Sequence, residues 1–179
     1  MQSKSDREKV EPYLIALRLA FRESGLECSL PGFELSIFAA LVYRESHFGW
    51  APGYTPKGDP RGTGDGGHGR GLCQIDDRTW SDWIKHNDWG DPLTNMRKAC
   101  SILRDTRGYL KTLVSMPGVD KPTFLRSVLA AYNCGPSGAR KGLIHDGDPD
   151  KWTAGGDYSK WIIAKAGDLV IQMPELLTC

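Results

Sequence analysis

Residues 33–46, "FELSIFAALVYRES", constrain the fold of this chain more than any other stretch. Apolar side chains cover most of the girth of the helix that this stretch predicts. A helix that is apolar on nearly all sides is stable only when other elements surround it. The chain has 179 residues, which is long enough to bury such a helix in one core. We therefore expect a single domain over residues 1–179, built around this central helix.

The other predicted helices are amphipathic, because their apolar side chains recur every three or four residues. One precedes the central helix and ends near Gly25, where a glycine suits a helix C-terminus. Two later helices are expected to stop at Pro117 and at Gly135 with Pro136. The helices after the central one are predicted over residues 78–88, 91–116, 122–135 and 157–173.

The segment after the central helix has a different character. Residues 49–71 are rich in glycine and proline and have no apolar period, which predicts a loop. The "LCQI" that follows (residues 72–75) is expected to form a short extended piece. The predicted fold class is therefore mostly α, a bundle around a buried central helix. The glycine-rich loop and short β excursion are expected to form a cleft.

The charge balance excludes several classes of partner. Lys and Arg number 23 against 22 Asp and Glu, a net charge of +1, so no strong field favours nucleic acid or an anionic membrane. No run is long and apolar enough to predict an integral membrane segment. The first 13 residues, "MQSKSDREKVEPY", lack the apolar region of a signal peptide. We expect a monomer that is made in the cytosol and released later, or a mature secreted chain.

The cysteines and histidines indicate neither a disulfide framework nor a metal site. The five cysteines are odd in number and have no CxxC or CxxH spacing, so we expect reduced thiols that pack as small apolar residues. They are Cys28, Cys73, Cys100, Cys134 and Cys179. The four histidines contain no HExxH pair. We predict no metal and no cofactor.

Two further motifs resemble ligand-binding loops but fail on context. Residues 62–67, "GTGDGG", fit the dinucleotide pattern GxGxxG, yet no strand precedes them and no helix begins there. Residues 146–157, "DGDPDKWTAGGD", carry acids at positions 1, 3, 5 and 12 of a calcium loop. They lack its glycine at position 6 and have Pro149 at position 4. A polar surface turn is predicted there instead.

Glu45 is a candidate general acid. It lies near the C-terminal end of the predicted central helix, on the same face as Leu41 and Val42. Burial and the negative end of the helix dipole both disfavour the ionised carboxylate, so both raise the pKa of Glu45. A raised pKa suits an acid that works near neutral pH. Taken alone, Glu45 favours the alternative of a helix-end glutamate in a salt bridge with Arg44 or another arginine.

Two aspartates give Glu45 a chemical context. Asp65 and Asp76 lie in "GDGGHGRGLCQIDD" (residues 64–77), which has five glycines in its first eight positions. A protonated carboxyl and ionised carboxylates across a cleft are the groups that glycoside hydrolysis requires. Neutral side chains that can hydrogen-bond a sugar are also present. They are Gln74, Tyr132 and Asn133, and indole rings from six tryptophans could stack on the sugar.

Four stretches together resemble goose-type lysozymes, within the wider lysozyme and lytic transglycosylase superfamily. They match the four motifs of that family in order, and the resemblance covers residues 10–172. The stretches are "ALVYRESHFG" (residues 40–49), "GDGGHGRGLCQID" (64–76), "AAYNCG" (130–135) and "GGDYSKWIIAKA" (155–166). The fold implied is an α+β lysozyme-like fold.

The resemblance implies roles for individual residues. Glu45 matches the catalytic acid, and Asp65 and Asp76 match the aspartates that position the nucleophilic water. Lytic transglycosylases usually lack the equivalent of Asp76, so its presence implies the hydrolytic branch. The residues that match family cleft residues, which contact the sugar or orient the acid, are Gln74, Tyr132, Asn133 and Tyr158. We predict His68 as a further substrate contact.

This chain departs from the family pattern in two ways. The connection from Glu45 to Asp65 is longer and rich in proline. Cys73 and Cys134 stand where the family commonly has methionine and a small residue. No basic partner is identifiable for either thiol, so we interpret both as packing residues.

The function implied is that of a peptidoglycan hydrolase, a muramidase that cleaves the β-1,4 bond between N-acetylmuramic acid and N-acetylglucosamine with inversion. Release as a phage endolysin is one route by which such an enzyme reaches the wall. The first alternative is a lytic transglycosylase that forms an anhydro sugar. A non-catalytic glycan-binding module is the second, and chitin is the other candidate substrate.

Overall fold

The computed structural model describes residues 4–177. Most of these residues are helical, and a small antiparallel sheet is inserted between the helices. The α-helices are α1 (Asp6–Val10), α2 (Leu14–Ser24), α3 (Leu26–Ser29), α4 (Leu35–Ser46), α5 (Ser81–His86), α6 (Pro92–Leu110), α7 (Lys121–Asp146) and α8 (Tyr158–Gln172). The strands are β1 (Thr63–Gly64), β2 (Gly69–Arg70) and β3 (Ile75–Asp76). The α+β lysozyme-like fold class is thus confirmed.

Helix α4 is the buried central element, as its apolar sequence predicts. Every residue of α4 except Arg44 and Glu45 is buried. Helices α2 and α8 pack directly against it, and α6 and α7 pack against each other in the same core. Because α4 is enclosed, whatever lies at its last turn is held rigidly, and that turn contains Glu45.

The helix boundaries follow local signals, with two corrections. Helix α2 ends at Gly25, whose φ of 64° is left-handed, as predicted. Helix α6 begins after Asp91, whose carboxylate accepts from the Thr94 backbone N–H at 2.8 Å. The sequence predicts that α6 ends at Pro117, but it ends at Leu110. Residues 111–115 form a tighter 3₁₀ helix instead, as is common at the C-terminus of an α-helix.

Helix α7 contains the second correction. Gly135 (φ 74°, ψ 158°) breaks it, as predicted, but a further helical segment continues to Asp146. Pro136 does not stop that segment, since a proline at the first position of a helix lacks only an N–H that would have no partner there. The break puts Tyr132 and Asn133 at the end of the first segment, where they can face a cleft.

The three-stranded sheet corrects the prediction of an irregular loop. Strand β2 pairs with β1 (Gly64 opposite Gly69) and with β3 (Gly69 opposite Asp76). The long connection after α4 also folds back, because Thr55 pairs with Thr63 as an isolated bridge. The extended piece predicted at residues 72–75 forms slightly later, at Ile75–Asp76. The sheet thereby brings residues 65 and 76, eleven positions apart, to one end.

Two sequence expectations concern the membrane and the thiols. Over residues 4–177, no helix has both the length and the apolar character needed to cross a bilayer. Four cysteines lie within the described part of the chain and are unpaired there, with Cys73 and Cys100 buried. Cys179 lies outside the described residues, so the redox state of all five remains a prediction.

Candidate active site

A cavity of about 350 Å³ lies where the end of α4, the sheet and the first segment of α7 meet. It is lined by Glu45, Asp65, Gly69, Gln74, Asp76, Arg78, Tyr132 and Asn133. A second cavity of about 420 Å³ shares four of these residues and continues between α6 and α7 with mostly apolar walls. Because they share these lining residues, the two cavities form one cleft. The three carboxylates that the sequence predicted all open onto it.

Glu45 has the environment of a general acid. It is partly exposed to the cavity at the last turn of the otherwise buried helix α4. Burial raises its pKa to about 7, against the lowering effects of a hydrogen bond from Tyr158 and of the nearby Arg44 charge. The guanidinium of Arg44 bonds Asp157 instead, at 3.1 Å. The alternative of a glutamate neutralised in a salt bridge is therefore wrong.

Tyr158 connects the acid to helix α8. It is the first residue of α8 and only 2% exposed, and its hydroxyl donates a hydrogen bond to Oε1 of Glu45. Burial, the nearby Glu45 carboxylate and this hydrogen bond raise the pKa of Tyr158 far above its ordinary value, so the phenol stays neutral and keeps the proton that it donates to that oxygen. The remaining oxygen of Glu45, Oε2, is therefore the one that can carry an acidic proton.

The glycine-rich stretch lets a side chain lie directly on the sheet backbone. Gly64 and Gly69 face each other across β1 and β2, and Gln74 packs over both. A Cβ at Gly64 or Gly69 would lie 2.3 or 2.2 Å from Oε1 of Gln74. Nε2 of Gln74 donates to the Gly71 carbonyl at 2.7 Å, which fixes the amide over the strands. The glycines thus provide the close approach that places Gln74 in the cleft wall.

Arg78 is a cleft residue that the sequence analysis missed. Its Nη2 bonds Oδ2 of Asp76 at 2.5 Å and Oδ2 of Asp65 at 2.9 Å. The hydrogen bond from Arg78 is the main reason that the pKa of Asp76 falls to about 2. An arginine two positions after an aspartate at a strand end is a usable signal for such a pair. The link to Asp65 depends on the hairpin and has no local signal.

Of the other predicted substrate contacts, Tyr132 and Asn133 line the cavity and His68 does not. The Tyr132 hydroxyl donates to the Cys73 carbonyl at 2.8 Å, and Oδ1 of Asn133 accepts from the Ala154 N–H at 2.8 Å. Both line the cavity. Nδ1 of His68 lies 2.9 Å from a carboxylate oxygen of Asp77, and His68 is not part of the cavity wall. Its predicted role as a substrate contact has no support from this position.

The calcium-like stretch is a mostly exposed polar turn, as predicted, but one of its acids lies inside the protein in an ion pair. Asp150 is completely buried and bonds Arg126 at 3.1 Å. It also accepts from the backbone N–H and the hydroxyl of Ser159, at 2.8 and 2.6 Å. Arg126 bonds Asp148 as well, at 2.6 Å. Among residues 4–177, no group of three His, Cys, Asp or Glu side chains is arranged to hold a metal.

The transglycosylase SLT domain family matches residues 27–154, well over half of the chain. The chain belongs to this family. Membership makes it a peptidoglycan-acting enzyme of the lytic transglycosylase and lysozyme-like class. No curated protein matches the chain. The SLT match includes Glu45, both cleft aspartates and Asn133, and it ends before Tyr158.

Proposed function

We propose that this SLT-family chain is a muramidase, in which Glu45 is the general acid and the aspartates Asp65 and Asp76 position the attacking water. The observation that carries the proposal is the pair of opposite environments in one cavity. Glu45 has a pKa raised to about 7, and Asp76 has a pKa lowered to about 2. A protonated acid facing an ionised carboxylate is the arrangement that glycoside hydrolysis uses. The proposal takes residues 1–179 as one catalytic domain acting as a monomer on glycan strands.

In this mechanism Glu45 gives the proton on Oε2 to the glycosidic oxygen, which leaves with the N-acetylglucosamine. The oxygen of a water bonds the anomeric carbon of N-acetylmuramic acid from the opposite face, and its proton passes to an aspartate. Inversion follows if the water lies between sugar and carboxylate, which requires a carboxyl separation of about 6.5–9.5 Å. Gln74, Tyr132 and Asn133 line the cavity, and in this proposal they bind the sugar amides and hydroxyls.

A lytic transglycosylase is the second candidate, because the matching family is named for that activity. In that reaction the C6 hydroxyl of the muramic acid attacks its own anomeric carbon, and no water is consumed. Arg78 and two backbone N–H groups donate hydrogen bonds to Asp76, so few acceptor sites of this carboxylate remain for a water. This also favours transglycosylation, which needs no water.

Product analysis distinguishes the two reactions. Purified enzyme is incubated with peptidoglycan, and the masses of the soluble fragments are measured. Hydrolysis adds the mass of one water per cleaved bond, whereas transglycosylation adds none and yields 1,6-anhydromuramic ends. NMR of fresh product from a soluble oligosaccharide should show the α-anomer first. An initial β-anomer contradicts inversion, and a mainly anhydro product contradicts hydrolysis.

Aspartate variants test the water-positioning role. If both carboxylates contribute to holding one water, Asp65→Asn and Asp76→Asn each retain part of the activity. The double variant should fall towards the level of Glu45→Gln, which lacks the acid. Asp168→Asn is a matched control, because Asp168 is exposed on α8 and lines neither cavity of the cleft.

A further inference from the structure

We propose that Arg78 is a positioning residue that holds the carboxylates of Asp65 and Asp76 together and leaves a single oxygen, Oδ1 of Asp65, to accept the attacking water. The proposal deepens the proposed function and rests on it: Asp65 contacts the water directly, and Asp76 contributes to positioning the water only through Arg78 and Asp65. Asp76 is the anchor of Arg78, and Asp65 is the water acceptor.

Asp76 has almost no capacity left to bind a water. Its Oδ1 accepts from the backbone N–H groups of Arg78 and Thr79, at 2.8 and 3.0 Å. Its Oδ2 accepts from Nε and Nη2 of Arg78, at 3.0 and 2.5 Å. Nε of Arg78 also approaches Oδ1, at 3.3 Å. These bonds fix the guanidinium on Asp76, so Asp76 orients Arg78 rather than the water.

Asp65 is held differently. Within residues 4–177, its carboxylate receives one hydrogen bond, from Nη2 of Arg78 to Oδ2. The side chain is 69% exposed and its backbone has a left-handed φ of 49°, which is unusual for a residue other than glycine. Without Arg78, nothing in the described residues would hold this carboxylate against the cleft wall. Within residues 4–177 Oδ1 of Asp65 accepts no hydrogen bond, and Asp65 lines the cavity that Glu45 also lines.

The charges around the pair make a cation necessary. Asp65 and Asp76 both bond one nitrogen, Nη2, so their Oδ2 atoms lie close together. Two carboxylates that share a site without a cation repel, and one of them takes up a proton. The other titratable groups that line the cavity are Glu45 and Tyr132. Neither supplies a positive charge, so Arg78 is the cation of this cavity wall.

The ion pair is too exposed to be needed for folding. The side chain of Arg78 is 58% exposed, and ion pairs at such positions contribute little to stability. Arg70 offers a matched control on the same hairpin. It bonds Asp77 at 2.5 Å, with a geometry like that of Arg78 on Asp76, but it does not line the cavity. A loss of activity in the Arg78 variant but not in the Arg70 variant would therefore be due to the position of Arg78 in the cleft.

The experiment compares Arg78→Gln, Arg78→Lys and Arg70→Gln with the wild type on a soluble peptidoglycan oligosaccharide near pH 6. We expect kcat for hydrolysis to fall about 10- to 100-fold in Arg78→Gln, the scale of a misplaced reacting group. KM should stay within about threefold, since the sugar contacts are unchanged. Arg78→Lys should recover only part of the loss, because one ammonium cannot bond both carboxylates as the guanidinium does. Arg70→Gln should hydrolyse like the wild type.

Sodium azide separates positioning from general damage. The azide ion attacks without giving up a proton: its nitrogen bonds the anomeric carbon while the glycosidic bond breaks and Glu45 protonates the leaving oxygen. Azide should therefore raise turnover of Arg78→Gln and form a glycosyl azide. An unchanged kcat, a change confined to KM, or a loss of kcat that azide does not relieve would overturn the proposed role of Arg78. None of these results would contradict the proposed hydrolysis. An anhydro product from the wild type would contradict the proposed hydrolysis, and with it the water that Arg78 is proposed to position.

Discussion

Replacement of Tyr158 by phenylalanine should move the pH dependence of this enzyme towards alkaline values. The Tyr158 hydroxyl donates to Oε1 of Glu45 from a side chain that is only 2% exposed. That bond stabilises the ionised form of Glu45, so it lowers a pKa that burial raises. Phenylalanine removes the donor and keeps the ring in the core. The pKa of Glu45 should therefore rise further.

The size of the rise follows from the energy of one buried hydrogen bond to a charged group. Such a bond contributes about 1.5–3 kcal/mol, and about 1.4 kcal/mol corresponds to one pKa unit. The pKa of Glu45 in the variant should then be about 8–9, against about 7 in the wild type. Glu45 acts in its protonated form, so activity is lost as pH rises through this value. At pH 8 the variant should keep a larger share of its maximal rate than the wild type does.

The assay is kcat against pH for a soluble oligosaccharide, with the carboxyl carbon of Glu45 titrated in parallel by NMR. Absolute rates of the variant should drop because the acid is less well oriented, so the midpoint of the alkaline limb is the quantity compared. Tyr132→Phe is the matched control, since the Tyr132 hydroxyl donates to the Cys73 carbonyl and not to Glu45. An alkaline midpoint in Tyr158→Phe that stays near 7 or falls would refute the reasoning.

Four further substitutions have expected outcomes. Glu45→Gln should lose at least ~100-fold in turnover. The raised pKa of Glu45 makes the free energy of unfolding of the wild type fall as pH rises from 4.5 through about 7. The free energy of unfolding of Glu45→Gln should therefore exceed that of the wild type by roughly 1–3 kcal/mol at pH 8, but not at pH 4. Gly69→Ala should displace Gln74 and raise KM, whereas Gly108→Ala, in open space on α6, should stabilise by up to ~1 kcal/mol. Asp150→Asn should cost about 3 kcal/mol in urea unfolding, because it leaves the partly buried Arg126 with one fewer carboxylate.

The parts of the fold that could be predicted are those whose signals are local. Helix α4 follows from a run of apolar side chains, and the break at Gly135 follows from a glycine–proline pair. The burial of Asp150 could not be predicted this way. Its partners lie on α7 and α8, and the turn around it has the composition of an exposed loop. Polar composition therefore predicts the exposed turn, but not the one acid that pairs with a distant arginine.

The candidate site divides in the same way. Glu45 could be proposed from its helix position, and Asp65 and Asp76 from the resemblance and the chemistry that three carboxylates allow. Arg78 was missed because its bond to Asp65 spans thirteen residues and exists only once the hairpin closes. His68 shares the glycine-rich motif but bonds Asp77 and does not line the cavity. Membership in a motif therefore does not fix which way a side chain of the hairpin faces.

The two walls of the cleft explain why one cavity can hold carboxyl groups in opposite states. Glu45 belongs to a buried helix, where desolvation favours the neutral acid, and Asp76 belongs to an exposed hairpin, where Arg78 and backbone N–H groups favour the anion. Between about pH 2 and about pH 7 the first is protonated and the second ionised. The alkaline edge of activity should therefore be set by the helix and its Tyr158 bond. The acidic edge should be set by the hairpin, so that Arg78→Gln moves the acidic edge upward and leaves the alkaline edge in place.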